Sequence, residues 1–170
     1  MSTRQNKRRL VTAAVSLLAV FIVTSGVWSH CEIPCGIYDD PIRISSMYED
    51  IRTIEKSMRQ IHKLAEEKDK NYNQLVRWIE NKGDHADKLS DTVTQYFMKQ
   101  RIKPAEKIDV KAYDKYVKRI TLLHKLMVYS MKCKQTTDLD NVEVLRNTLT
   151  EFKREYLVTE HNHKDHNHKH

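Results

Sequence analysis

The stretch DPIRISSMYEDIRTIEKSMRQIHKLAEE, residues 40–67, places apolar side chains at Ile44, Met47, Ile51, Ile54, Met58, Ile61 and Leu64. Steps of three and four alternate along it, which is one buried stripe on an amphipathic helix. Asp40 is expected to cap this helix, with Pro41 at its first position, where the missing N–H is not needed. A charged turn, Glu66 to Lys70, closes it. The spacing then predicts a second helix over about 71–101, with Leu75, Trp78, Ile79, Leu89, Val93, Tyr96 and Phe97 on its apolar side. Gly83-Asp84 is expected to interrupt or kink it, because Gly is a weak helix former, and Pro104 ends the segment. Asp109 can cap a third helix, with Val110, Tyr113, Val117, Ile120, Met127 and Met131 on one face and His124 in register. Lys134 to Asp140 reads as a loop. Asp140 and Glu143 have capping-box spacing for a fourth helix carrying Val142, Leu145, Leu149, Phe152 and Tyr156. Four such helices with short links predict an all-α fold, an antiparallel four-helix bundle over residues 41–158.

Composition agrees. Only three Gly and three Pro occur among 170 residues, and 31% are charged, so long breaker-free helices are expected. The formal net charge is +7, but Arg4, Lys7, Arg8 and Arg9 supply four of those charges within residues 1–29, which contain no acid. The remainder holds 26 basic and 23 acidic residues, a balance of +3 that removes most support for nucleic-acid binding. Lys7-Arg8-Arg9 precede the uncharged run Leu10 to Trp28, so residues 1–29 read as a cleavable, signal-like hydrophobic leader. Val27 and Ser29 stand at −3 and −1 of a cut before His30. The alternative is an uncleaved membrane anchor, since 19 uncharged residues nearly suffice to span a bilayer. Cleavage implies export machinery, a leader peptidase and a location in a periplasm or lumen.

Residues 30–40 form a short hook that begins His30-Cys31-Glu32-Ile33-Pro34-Cys35-Gly36. Once His30 is N-terminal, the hook offers a free amine, an imidazole, a deprotonatable amide and two thiols. The amine and the next amide nitrogen lie one chelate ring apart, the Cys31 thiol closes a second ring, and the Cys35 thiol completes a plane if the chain turns back. Pro34 and Gly36 supply that turn. Such a nitrogen and sulfur set suits square-planar nickel(II). His30 can add an axial imidazole, and the anionic donors lower the metal's potential into a range that permits one-electron cycling. The competing reading of an exported Cys31–Cys35 pair is a disulfide.

His30, Cys31, Pro34, Cys35, Gly36 and Tyr38 together resemble the hook of the nickel-containing superoxide dismutases. The resemblance continues through Ile54-Glu55-Lys56-Ser57-Met58 and Gln95-Tyr96-Phe97 to Pro104. It implies a four-helix-bundle subunit, a homohexamer, one nickel ion per subunit, and disproportionation of superoxide to oxygen and hydrogen peroxide by Ni(II)/Ni(III) cycling. It also implies that His30 supplies amine and axial imidazole, Cys31 amide nitrogen and thiolate, and Cys35 the second thiolate. Tyr38 resembles the tyrosine lining the substrate approach. Glu32 replaces a common Asp, and Asp39-Asp40 looks like a one-residue insertion before Pro41. Glu49 is a candidate for the acid that steadies the histidine. Family members generally carry a short leader cut by a dedicated protease and work in the cytoplasm, so the signal-like leader is a departure.

The remaining reactive residues have plainer readings. Cys133 is expected as a half-buried structural thiol, His124 as a hydrogen-bonded core residue, and His62 and His85 as surface residues. Tyrosines other than Tyr38 are expected in packing or subunit contacts. The tail, residues 159–170, holds five of the nine histidines and reads as a disordered tract able to bind Ni, Zn or Cu. Two rival functions stay open: a nickel-binding storage or delivery protein without turnover, and a membrane-anchored helical module with a Cys31–Cys35 disulfide.

Overall fold

In the computed structural model, residues 38–164 are described, with side chains through Leu157. The leader, His30, Cys31, Cys35 and the last six residues of the tail lie outside the described residues. Helix α1 spans Asp40–Glu66, α2 Tyr72–Asp91, α3 Val110–Gln135 and α4 Leu139–Lys164. Between α2 and α3 the helix changes register into a π-helix, Thr92–Arg101. No strand occurs among the described residues. Each helix packs on its chain neighbours, and α4 packs back on α1, which closes the bundle. Side-chain pairs fix the directions. Asn81 Nδ2 donates to Ser57 Oγ at 2.9 Å, while His85 Nδ1 lies 2.7 Å from Asp50 Oδ1. Residue numbers rise on one helix as they fall on the other, so α1 and α2 are antiparallel. Tyr48 against Thr150 and His62 against Thr137 show the same for α1 and α4.

The α1 stripe is the core's spine: Ile44, Met47, Ile51, Ile54 and Met58 are buried, as are Val142, Leu145, Leu149, Phe152 and Tyr156 of α4. Burying such side chains contributes about 1.5–3 kcal/mol each relative to exposure. The expected face of α3 is wrong. Leu122, Leu123, Leu126 and Cys133 fill the core, and Ile120 and Met127 pack partly against it. Val110, Val117 and Met131 are exposed, Met131 to 53%, and His124 is on the surface as well. Two apolar stripes compete on this helix, and the run Leu122-Leu123 with Leu126 offers the bulkier one. The first half of α2 is likewise less buried than its pattern suggests: Leu75 and Trp78 are half-buried and Ile79 is exposed.

Helix starts follow local chemistry, with two corrections. Asp39, not Asp40, caps α1, its Oδ1 accepting from the Ile42 amide at 3.0 Å. Asp138, not Asp140, serves α4, accepting from the Asp140 amide at 3.0 Å, and the loop shortens to residues 136–138. Asp109 caps α3 as expected, accepting from the Ala112 amide at 3.0 Å. At the far end of α3, the buried Lys82 ammonium donates to the Lys134 and Thr136 carbonyls at 2.9 and 2.6 Å. It satisfies acceptors that a helix C-terminus leaves open and complements its dipole. Beside it Cys133 is fully buried rather than half-buried, and burial pushes its thiol up to about 11, so it stays a protonated apolar group.

Helix α2 runs through Gly83-Asp84 without interruption; the irregularity falls nine residues later, at Thr92. A Cβ on Gly83 would meet nothing nearer than Lys134 Cε at 4.0 Å. Gly83→Ala is therefore expected to stabilise the fold by about 0.5–1 kcal/mol, through lost freedom in the unfolded chain. An unchanged or lower urea midpoint would contradict this.

Candidate metal centre

The three proposed ligands, His30, Cys31 and Cys35, lie outside the described residues. Tyr38 is the first described residue after them and is exposed. What is described in full is the point where the chain leaves the hook and enters the bundle. There two consecutive aspartates do different work. Asp39 caps the helix. Asp40 turns inward and is only 7% exposed. Its Oδ1 accepts from Tyr96 Oη at 2.6 Å and from Arg101 Nε at 2.9 Å; its Oδ2 accepts from Arg101 Nη2 at 2.6 Å and Tyr156 Oη at 2.9 Å. The Arg101 fork is bidentate, the strongest geometry available to a carboxylate.

The π-helix explains how Tyr96 and Arg101 reach one carboxylate. They are five residues apart, a spacing that an α-helix splays onto different sides. Hydrogen bonding from residue i to i+5 brings such pairs together, and the Ile102 amide donating to the Phe97 carbonyl at 2.8 Å is one of these bonds. Thr92 and Thr94 hydroxyls donate back to the Lys88 and Ser90 carbonyls at 3.0 Å, competing for acceptors where the register changes. Phe97 of the same segment faces the core. Its ring meets Tyr96, Phe152 and Tyr156 edge-on at 5.0, 5.0 and 5.5 Å. Arg43 lies over the Tyr96 ring at 5.2 Å, and Arg119 over Tyr156 at 5.1 Å.

Electrostatics follow from this geometry. Burial alone would raise the Asp40 carboxyl, but the hydrogen bonds from Arg101, Tyr96 and Tyr156 and the guanidinium charge outweigh it, so the group lies below the usual 3.8. The stabilisation this brings is complete above that ordinary value and is lost only as pH falls through the lower folded one. Burial first, then the bond to Asp40, pushes the Tyr96 phenol well above its usual range. Tyr96 therefore keeps its proton and donates it in a hydrogen bond to Asp40. Glu49, the candidate acid, has a side chain 68% exposed and lies 3.8 Å from Arg52, an ordinary surface pair. His85 is a correction of the opposite kind: it is half-buried and paired with Asp50, whose carboxyl burial raises despite the imidazole's hydrogen bond. Among the described residues no three His, Cys, Asp or Glu side chains gather into a metal-holding group.

Asp40, Tyr96, Arg101 and Tyr156 were not legible as one site. Asp40 read as a cap, and both tyrosines fall on apolar stripes. The usable signal was the doubled Asp39-Asp40, since one helix start needs only one cap.

Residues 25–160 match the family model described as nickel-containing superoxide dismutase, a span that includes His30 to Tyr38 and the whole bundle through Leu157. The chain belongs to that family. Comparison with curated proteins and with solved structures returns no match. The protein is thus a superoxide dismutase, an oxidoreductase whose cofactor is nickel. The residues of the nickel superoxide dismutase fit that metal in donor chemistry. Imidazole, amide nitrogen and two thiols, as His30, Cys31 and Cys35 carry, are the kinds of donor that would suit nickel. Carboxylate and carbonyl donors suit harder ions.

Proposed function

We propose that the dismutase works from a hook whose first residue is His30, exposed by cleavage after Ser29. The observation that carries this reading is the run His30 to Tyr38 standing directly behind a basic, then apolar, leader and inside the matched family span. His30 would hold one nickel per subunit through its amine and imidazole, Cys31 through amide nitrogen and thiolate, and Cys35 through the second thiolate. When bound, nickel supplies a one-electron couple between Ni(II) and Ni(III), which lets one superoxide leave as oxygen and a second as hydrogen peroxide. The chain's own part is to keep two thiols and an amide deprotonated, to turn at Pro34 and Gly36, and to admit a small anion past Tyr38. The second product needs two protons. Tyr96 is poorly suited to give them, because its phenol is raised and bound to Asp40. Water at Tyr38, a protonated thiolate and the N-terminal amine are better placed chemically.

The subunits assemble as a homohexamer in this reading. Support comes from apolar side chains that the single bundle leaves uncovered, Val117, Val128 and Met131 on α3 and Tyr72, Val76 and Ile79 on α2. The leader directs the enzyme to a periplasm or lumen, and fractionation that recovers the mature chain in the cytoplasm would contradict that.

The test compares a chain that starts at His30 with one that starts at Ser29. A single extra residue turns the His30 amine into an amide and leaves every side chain in place. The His30 form is expected to bind nickel and consume superoxide, and the Ser29 form to lose nearly all activity. Equal activity would overturn the cleavage reading.

A further inference from the structure

We propose that Asp40 and the side chains that bind it, Tyr96, Arg101 and Tyr156, are a clamp that positions the metal-binding hook, with Asp40 a positioning residue rather than a catalytic one. The inference rests on the reading of residues 30–38 as the metal centre.

Three observations carry it. First, the helix does not need Asp40 in order to start. Asp39 already satisfies the Ile42 amide, and Pro41 has no N–H to satisfy. A second carboxylate buried in the next position is costly unless fully hydrogen-bonded. Here it receives donors from two other parts of the bundle, the π-helix and α4, each distant in sequence: 56 positions to Tyr96, 61 to Arg101 and 116 to Tyr156. Such a group ties three segments together at one point.

Second, the point is the root of the hook. Asp40 is two residues beyond Tyr38 and five beyond Cys35. Fixing Asp40 therefore fixes the end of the bundle to which the hook is joined in sequence. A metal site made from the first residues of a chain has no flanking element on its N-terminal side. Its only covalent tie to the bundle is on the C-terminal side, through this root. Donor sets need their supporting contacts held closely, and loss of such contacts commonly costs 10–100-fold in metal affinity.

Third, the clamp uses an irregular backbone. The π register of Thr92–Arg101 is what brings Tyr96 and Arg101 to the same carboxylate. A π-helix is rare and tends to persist where it serves a site.

The experiment uses the full bundle with the mature start at His30 and compares Asp40→Asn, Tyr156→Phe and, as a control in the α1 core, Ile54→Val. Asn keeps the size of Asp40 but removes the charge and turns an acceptor into a donor facing Arg101. Tyr156→Phe removes the 2.9 Å bond to Asp40 and keeps the ring and the Arg101 fork, so it is expected to fold even if Asp40→Asn does not. Three readouts are taken: the urea midpoint, hydrogen–deuterium exchange of the amides from Tyr38 to Ile44, and nickel affinity by competition with a chelator. The expected result is exchange at least tenfold faster at the root in both clamp variants. Nickel binding should weaken about 10-fold or more in whichever clamp variant stays folded, while Ile54→Val lowers the midpoint and moves neither. If the clamp variants lower the midpoint as the control does, with root exchange and nickel affinity unchanged, the carboxylate is a core ion pair only and the proposal is overturned. The parent chain separates the two claims. If it takes up no nickel, the metal-centre reading fails, and positioning of the hook fails with it even where root exchange still responds.

Discussion

Replacing Cys31 or Cys35 with Ser is expected to bring superoxide consumption down to the uncatalysed background. Both thiolates are asked to do two things at once. In the proposed site they would be soft donors that hold nickel and anions whose electron density lowers the potential needed to oxidise it. A serine hydroxyl does neither at neutral pH: it stays protonated, is a hard oxygen donor and is a weak ligand. Each substitution should therefore remove the couple rather than slow it, so the loss should not be graded with superoxide concentration or pH. Stopped-flow decay of superoxide, read beside bound nickel per subunit, distinguishes a site that has lost its metal from one that keeps it without cycling. Full activity in either variant would remove that cysteine from the site. His30→Ala belongs to a milder class, because the terminal amine survives; it should keep part of its nickel and lose most activity.

Phe97→Ala is expected to cost about 3–5 kcal/mol of stability, the usual range for deleting a buried aromatic ring. Phe97 is 0% exposed and sits where Tyr96, Phe152 and Tyr156 converge, with all three rings within 5.5 Å. The loss is expected at the high end for a backbone reason. The π register exists to face Phe97 inward and Tyr96 and Arg101 toward Asp40 at the same time, and removing the ring leaves the register with one anchor. A loss of unfolding free energy of less than about 1 kcal/mol, read from denaturant melts, would show that the core collapses into the space and that the aromatic cluster is dispensable.

The fold was largely readable in the chain because its strongest signals are long and redundant. Seven apolar residues in one stripe on α1, and five on α4, leave a single way to face the core. Helix α3 was misread for the opposite reason. It carries two apolar stripes, and a sequence does not say which one meets a neighbour and which meets solvent; Leu122, Leu123, Leu126 and Cys133 went in, while Val117 and Met131 stayed out. Capping residues were misplaced by one or two positions where acids cluster, as at Asp39-Asp40 and Asp138-Leu139-Asp140. A choice between neighbouring acids depends on which one the rest of the bundle can pair. The proposed hook is local in its chemistry, with donors and turn all within residues 30–36, and it lies outside the described residues. The cluster at its root was not legible, because Asp40, Tyr96, Arg101 and Tyr156 are brought together by a change of helical register that periodicity does not reveal. His85 was misjudged likewise, since only the antiparallel register of α1 and α2 puts Asp50 beside it.

The most direct test of the central claim is native mass spectrometry of the protein purified from its own host, with His161, His163, His166, His168 and His170 replaced by Ala to remove adventitious metal. It reads the first residue, the nickel content and the size of the assembly together. The account predicts a chain that begins at His30, carries one nickel per subunit and flies as a hexamer. A chain that retains residues 1–29, or one that begins at His30 with Cys31 and Cys35 joined in a disulfide and no nickel, would contradict it.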